Sequence, residues 1–289
     1  MVNLNIRDAQ CRICGSKDSR FIIKDGEWDI IQCKACSFVY VTPLPTEQFL
    51  YLHYQQYLPS ENIRIEQWRT MMSDIFLKSL DVIDVRYNYQ RGTLLDIGCG
   101  YGFFLELARR RGWHVHGIEP CVHARDHAAS MAIKIDSESL IEKRYEDEMF
   151  DVVTLFYVLE HLPNPLRYLN EINRILKPGG LLLLRVPHTT PIVNFLKIFR
   201  ISNKLYDIPS HLSDFSPKAI ALALSKAGFC EIQTFPGGAT RPHPLCERLI
   251  SVGSGAIADV LYTLSGKRLL LPGVSKTTVA RKAGHVDAV

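Results

Sequence analysis

The sequence predicts an α/β protein, a doubly wound parallel sheet with helices on both faces and a small cysteine-bearing unit on its N-terminal side. Three observations carry this expectation. Residues 92–187 alternate short apolar runs with helical runs, and strand–helix alternation of this kind closes only as a parallel sheet with crossover helices. A glycine-rich run, Asp96-Ile97-Gly98-Cys99-Gly100-Tyr101-Gly102, joins the first of those strands to a helix. Four of the eight cysteines fall in the first 36 residues, as Cys11-x-x-Cys14 and Cys33-x-x-Cys36.

The cysteine pairs come first along the chain. They are separated by 18 residues, and between them Phe21-Ile22-Ile23 and Asp29-Ile30-Ile31 flank Asp25-Gly26, a good hairpin turn. The hairpin would bring the two knuckles together and present four thiolates, the tetrahedral set zinc prefers. No leader sequence is apparent, so disulfides are not expected and residues 1–42 read as a zinc ribbon. With all four positions filled by thiolate the metal would be structural, and the ribbon is expected to have a core separate from the sheet. Residues 43–90 form a linker and helix: Pro-x-Pro, then Tyr51, His53, Tyr54 and Tyr57, then Trp68, Met71, Met72, Ile75, Phe76 and Leu80 at helical spacing.

The alternating region follows. Strands are expected at 93–97, 113–118, 132–135, 150–156 and 181–186, with helices at 103–111, 121–130 and 165–176. Lys177-Pro178-Gly179-Gly180 supplies the breakers that end the last of these helices. Beyond it, a helix near 217–227 opens at Ser216-Pro217, and strands are expected at 229–235 and 274–281. Between them, Ile192, Phe195, Leu196, Phe199 and Asn203 fall on one face of a helix spanning Ile192 to Tyr206, with Lys197, Arg200 and Lys204 toward the other side.

Glycines let a backbone approach a ligand, and a helix start offers free N–H groups. Glu119 ends the second strand, where a carboxylate can accept both hydroxyls of a ribose. The dinucleotide fingerprint G-x-G-x-x-G is not met, because Phe103 stands at its third glycine. Asp96 would repel a pyrophosphate but suits a cationic amino-acid moiety. Leu94 to Gly102 resembles the first motif of class I S-adenosylmethionine-dependent methyltransferases. Phe150-Asp151-Val152-Val153, Leu159-Glu160-His161-Leu162-Pro163-Asn164-Pro165, Leu176 to Gly180, Phe215-Ser216 and Ala227-Gly228-Phe229 resemble later motifs of the same family in the same order.

The resemblance implies a seven-stranded sheet whose last strand is antiparallel. It implies that Asp96, Gly98, Cys99, Gly100 and Gly102 hold the methionine part of S-adenosylmethionine and that Glu119 holds the ribose. It puts Asp136 and Ser137 at the adenine, and Phe156 and Tyr157 at the sulfonium side. Methyl transfer from a sulfonium mainly needs alignment, and a hydroxyl, amine or carbon acid also needs a base. His211, His161 and His188 are the candidates, each with a plainer reading as a loop-fixing residue. Some zinc-ribbon sugar C-methyltransferases close a Tyr/His-rich stretch over the substrate, and Tyr51 to Tyr57 falls near that place. Packing between ribbon and sheet is its alternative role.

Composition limits the partners. The net charge of +4 is too mild to argue for nucleic acid, and residues 11–36 carry five Lys/Arg against four Asp/Glu. Leu249 to Leu264 is too short and broken to span a bilayer. The chain therefore reads as a soluble cytoplasmic methyltransferase, with residues 91–289 as its catalytic domain and an acceptor-covering insertion at about 188–214. The expected acceptor is a small molecule, sugar or glycan- or lipid-linked group, with peripheral membrane contact through the 192–206 face. An RNA methyltransferase using the ribbon to hold nucleic acid, and a non-catalytic binding module on the same scaffold, are the alternatives.

Overall fold

The computed structural model describes residues 10–201, 204–240, 245–267, 269–271 and 275–284. Near its N-terminal end are β1 (Ser19–Asp25), β2 (Trp28–Cys33), β3 (Val39–Thr42), α1 (Glu47–Gln55) and the long α2 (Asn62–Arg86). The alternating region gives β4 (Thr93–Ile97), α3 (Phe103–Arg110), β5 (His114–Ile118), α4 (Val122–Ser130), β6 (Lys134–Asp136), α5 (Leu140–Lys143) and β7 (Phe150–Phe156). A 3-10 turn at Leu159–His161 leads to α6 (Pro165–Ile175), β8 (Leu176–Val186) and α7 (Thr190–Ile198). The remaining elements are β9 (Ser213–Asp214), α8 (Pro217–Lys226), β10 (Phe229–Phe235), α9 (Leu245–Leu264) and β11 (Lys276–Lys282).

Seven strands make the main sheet in the order β10-β11-β8-β7-β4-β5-β6. Pairings among β8, β7, β4, β5 and β6 are parallel, and β11 runs antiparallel between β8 and β10. Strands β4 and β7 are buried almost throughout, as a central parallel strand covered on both faces must be. The order reverses at β4, so the loop after β4 opens into the crevice where such sheets bind ligands.

Two local expectations are corrected. β8 begins at Leu176 rather than 181, because Gly179 at φ +72° lets the chain turn into the sheet without leaving it. The helix expected from Ile192 to Tyr206 stops at Ile198; Arg200 at φ +57° reverses the chain, and Tyr206 returns to hydrogen-bond Thr190 at 3.0 Å. Phe195 and Phe199 are exposed and meet edge to face at 5.1 Å between centroids, so this apolar face meets solvent. Asn203 and residue 274 lie outside the described residues.

The ribbon forms a second sheet, β1-β2-β3-β9, around the Asp25–Trp28 hairpin with Gly26 at φ +59°. Its fourth strand comes from far along the chain, with Val39 opposite Asp214 and Tyr40 opposite Ser213. The expectation of separate cores is corrected: Cys11, Ile13, Cys33, Cys36 and Phe38 belong to one apolar cluster with Leu159, Phe215, Leu184 and Ile97. Phe38 packs on Phe215 at 5.0 Å, because a ribbon this small must borrow buried surface from its neighbour. Among the described residues no helix is long and apolar enough to cross a membrane.

Candidate active site

The residues first named at the glycine loop are built from one short stretch. β4 delivers Asp96, the loop turns at Gly98 (φ +68°), Gly100 (φ +53°) and Gly102 (φ +80°), and α3 starts with no side chain capping it. A Cβ on Gly98 would lie 2.5 Å from Val158, so this glycine is needed for space as well as for φ. β5 ends alongside, and the buried Glu119 carboxylate accepts from the N–H of Gly100 at 2.7 Å and of Cys121 at 2.8 Å. Cys99 is buried beside them, its own N–H bonded to Ile118.

Asp96 is also buried. Thr154 donates to it at 2.6 Å, yet burial, and then the nearby Glu119, push its carboxyl up to about 8. Burial likewise raises Glu119. Two buried acids whose carboxylates take no cationic side-chain hydrogen bond among the described residues, Arg125 reaching only the Glu119 main-chain carbonyl at 3.4 Å, beside glycines at positive φ and a free helix start, suit a ligand that brings an ammonium and hydroxyls. The residues present therefore fit S-adenosylmethionine. Asp136, at the end of β6, is already satisfied by Lys143 and Tyr145, each at 2.6 Å. Burial alone would raise its pKa, but those hydrogen bonds outweigh it and hold it low. Ser137 is exposed at the strand end. Phe156 packs between Phe104 at 4.7 Å and Phe76 at 5.1 Å. Tyr157, at φ +58°, accepts from the buried Arg185 through its hydroxyl at 2.8 Å.

A second group lies where the chain leaves β7. His161 and His211 stand 4.9 Å apart between ring centroids. His161 Nδ1 lies 2.7 Å from the Ser210 carbonyl, which only accepts, so the neutral ring places its proton on Nδ1 at that contact, and the Tyr157 carbonyl also lies against the ring. The same carbonyl takes the Tyr54 hydroxyl at 2.8 Å, and His53 Nε2 meets Ser210 Oγ at 3.2 Å. Tyr57 closes the group edge-on to His161 at 5.6 Å, while Tyr51 is exposed and stands apart. Burial, and then His211, push His161 down to about 3. His211 is lowered by burial. His188 makes no ring contact with His161, though it shares the charges of Lys276 and Asp214 with Glu160: burial and then Lys276 push it down to about 4, and its Nδ1 has no partner among the described residues.

Sequence reasoning passed over Glu160. It is fully buried, neither carboxyl oxygen has a partner among the described residues, and burial pushes it up to about 8. Glu160, His161 and His211 bring their ligand atoms within 4.8 Å of one another. An acid beside a histidine shortly after a mostly apolar strand was the available signal. Ser210, Arg185 and the buried Lys276 carried none, because only the fold brings them here.

The four ribbon thiols also converge within 4.8 Å. Cys11 and Cys36 are 3.6 Å apart and Cys14 and Cys33 3.4 Å, close to the ~3.8 Å edge of a tetrahedron with Zn–S bonds of about 2.3 Å. Burial raises the thiols of Cys11 and Cys36, a cost that a divalent cation relieves by displacing their protons. The residues fit zinc.

Comparison with known proteins agrees with the geometry. A family profile described as a methyltransferase domain matches residues 63–233. The ubiquinone biosynthesis O-methyltransferase of Pseudomonas paraeruginosa is 30% identical over 151 residues, 50% of this chain and 65% of that protein. The enzyme of the same name from Hahella chejuensis is 37% identical over 119 residues, 39% of this chain and 50% of that protein. The chain thus spans less than two thirds of these curated relatives. Among solved structures, phosphoethanolamine N-methyltransferase 2 of Haemonchus contortus shares the fold at a TM-score of 0.54 and 14% identity, covering 90% of this chain and 70% of that one. A SAM-dependent methyltransferase from Archaeoglobus fulgidus gives 0.52 at 18% identity, covering 77% and 100%. With the motif order, the sheet order and a profile spanning more than half of its length in agreement, the chain belongs to the methyltransferase-domain family, in its class I S-adenosylmethionine-dependent form.

Proposed function

We propose that this protein transfers a methyl group from S-adenosylmethionine to a small-molecule acceptor, with a structural zinc held by Cys11, Cys14, Cys33 and Cys36. The buried acids Asp96 and Glu119 at the glycine loop, whose carboxylates accept no cationic side-chain hydrogen bond among the described residues, are the observation that carries the reading. Asp96 and the loop take the methionine end, Glu119 the ribose, and the chain around Asp136 and Ser137 the adenine. Phe156 and Tyr157 close the side on which the methyl group leaves. The bound cofactor supplies an already activated methyl, so the chain's own work is to align the acceptor and remove its proton.

The acceptor site is the group around His161. Its neutral ring, pinned through Nδ1 to Ser210, is the base, with Tyr54, Tyr57 and His211 as walls. His188 stands outside this group and is left without a catalytic role. The small-molecule acceptors implied by the names of the ubiquinone and phosphoethanolamine enzymes support this substrate class over RNA. So do the ribbon's cations: Lys34 pairs with Asp18 and Lys24 with Asp29, while Arg12 turns inward to Pro163. The exposed Phe195, Ile198 and Phe199 near Lys197 and Arg200 support a lipid-linked acceptor presented at a membrane surface. Incubation with cofactor carrying an isotopic methyl, and separate pools of lipid extract, small polar metabolites and RNA, tests the reading. Label in the lipid or metabolite pool, lost in His161→Gln, is expected; label in RNA alone contradicts it.

A further inference from the structure

Besides apolar packing, one polar side chain of the ribbon reaches the acceptor loop among the described residues. Arg12 lies inside the first cysteine knuckle, between Cys11 and Cys14, yet its guanidinium leaves the ribbon. Nη1 donates to the Pro163 carbonyl at 2.7 Å and Nη2 reaches the Val41 carbonyl at 3.4 Å, while the group lies 5.1 Å from the Tyr40 ring centroid. Pro163 is two residues past His161, at the exit of the turn that carries Glu160 and His161. Within the turn His161 N–H bonds to Val158 and Leu162 N–H to Leu159, and outside it the His161 ring meets the Ser210 carbonyl at 2.7 Å and the Tyr54 hydroxyl reaches the His161 carbonyl at 3.4 Å. A backbone relay ties the turn to the ribbon side: Leu212 donates to the Glu160 carbonyl at 2.8 Å, and Val41 donates to Leu212 at 3.1 Å. Arg12 bridges the two ends of this arrangement, because the strand residue it reaches, Val41, is the same one that starts the relay.

We propose that Arg12 is a positioning residue of the acceptor site, fixing from within the cysteine knuckle the turn that presents Glu160 and His161. The proposal rests on reading the His161 group as the acceptor site. A planar guanidinium can serve two carbonyls while stacked on an aromatic ring; an ammonium serves them one at a time, so lysine is a partial substitute. The ribbon is then part of the acceptor site's frame.

The test uses zinc-loaded full-length protein and needs no acceptor. In Arg12→Met, amide hydrogen exchange across 158–163 should quicken at least tenfold, and the His161 imidazole nitrogen resonances should move away from the fixed Nδ1–H pattern. Zinc content and S-adenosylhomocysteine affinity should stay within twofold of wild type, and Arg12→Lys should restore part of both signals. Wild-type exchange and unmoved His161 resonances in Arg12→Met would overturn the proposal. Loss of zinc in both variants would overturn it too, by showing that Arg12 serves only the ribbon. These readouts decide the Arg12 assignment separately from the acceptor reading, which labelled-methyl transfer decides.

Discussion

The two halves of the site are made differently. The cofactor half is local: Asp96, three glycines and Glu119 fall within 24 residues, and its geometry is backbone geometry, set by φ angles and strand ends. The acceptor half is collected from α1, the turn after β7, the 207–212 loop and the first cysteine knuckle, and its geometry is that of side chains. A site built from backbone is constrained by where glycine can go and leaves a readable motif. A site built from distant side chains leaves single residues that look ordinary one at a time.

That contrast predicts different responses to damage. The largest should come from the ribbon. Cys36→Ser should release zinc and lower the stability of the whole chain by about 3–4 kcal/mol, a quarter of the binding energy typical of structural zinc. Because Cys36 shares an apolar cluster with Leu159 and Phe215, thermal unfolding should shift as one transition. A ribbon that unfolds alone, below an unshifted main transition, would restore the picture of separate cores.

The cofactor half should respond to pH. Asp96 has its folded pKa raised to about 8 from an ordinary 3.8. Its contribution to stability is therefore fully present below pH 3.8 and is lost as pH rises through 8. A bound ammonium favours the ionised form, so cofactor must displace a proton at pH 7. S-Adenosylhomocysteine affinity should rise up to tenfold per unit toward pH 8 and then level off. In Asp96→Asn the slope should vanish, which calorimetry in buffers of differing ionisation enthalpy would register. A flat wild-type profile between pH 6 and 8 would remove the assignment.

A smaller effect is expected at the acceptor half. Tyr54→Phe removes one hydrogen bond to the Ser210 carbonyl and should cost about 1 kcal/mol of stability. It should slow methyl transfer while leaving S-adenosylhomocysteine affinity unchanged, whereas an unaltered rate would mean that the aromatic group only packs.

The same contrast explains what could be read from the sequence. The alternation of 92–187 and the glycine run gave the sheet and the cofactor half, because period and motif are local signals. The two-residue strand β9 was not legible, since Ser213-Asp214 becomes a strand only by pairing with Val39 and Tyr40. Nor was the end of α7: apolar spacing continues to Tyr206, but Arg200 breaks the helix. In sequence His161 and His211 read as alternatives to each other, and the fold sets them edge to face as neighbours. Tyr51, indistinguishable in sequence from Tyr54 and Tyr57, points to solvent because α1 turns that face outward.

The central claim is that cofactor binding resides in the backbone-built half alone. Calorimetric titration of S-adenosylhomocysteine into wild type, Glu119→Ala and His161→Gln tests it most directly. Glu119→Ala should lose about 2–3 kcal/mol of affinity, the usual strength of hydrogen bonds to a charged group, and His161→Gln should bind as wild type does. Equal affinity in wild type and Glu119→Ala, or a loss confined to His161→Gln, would contradict the account.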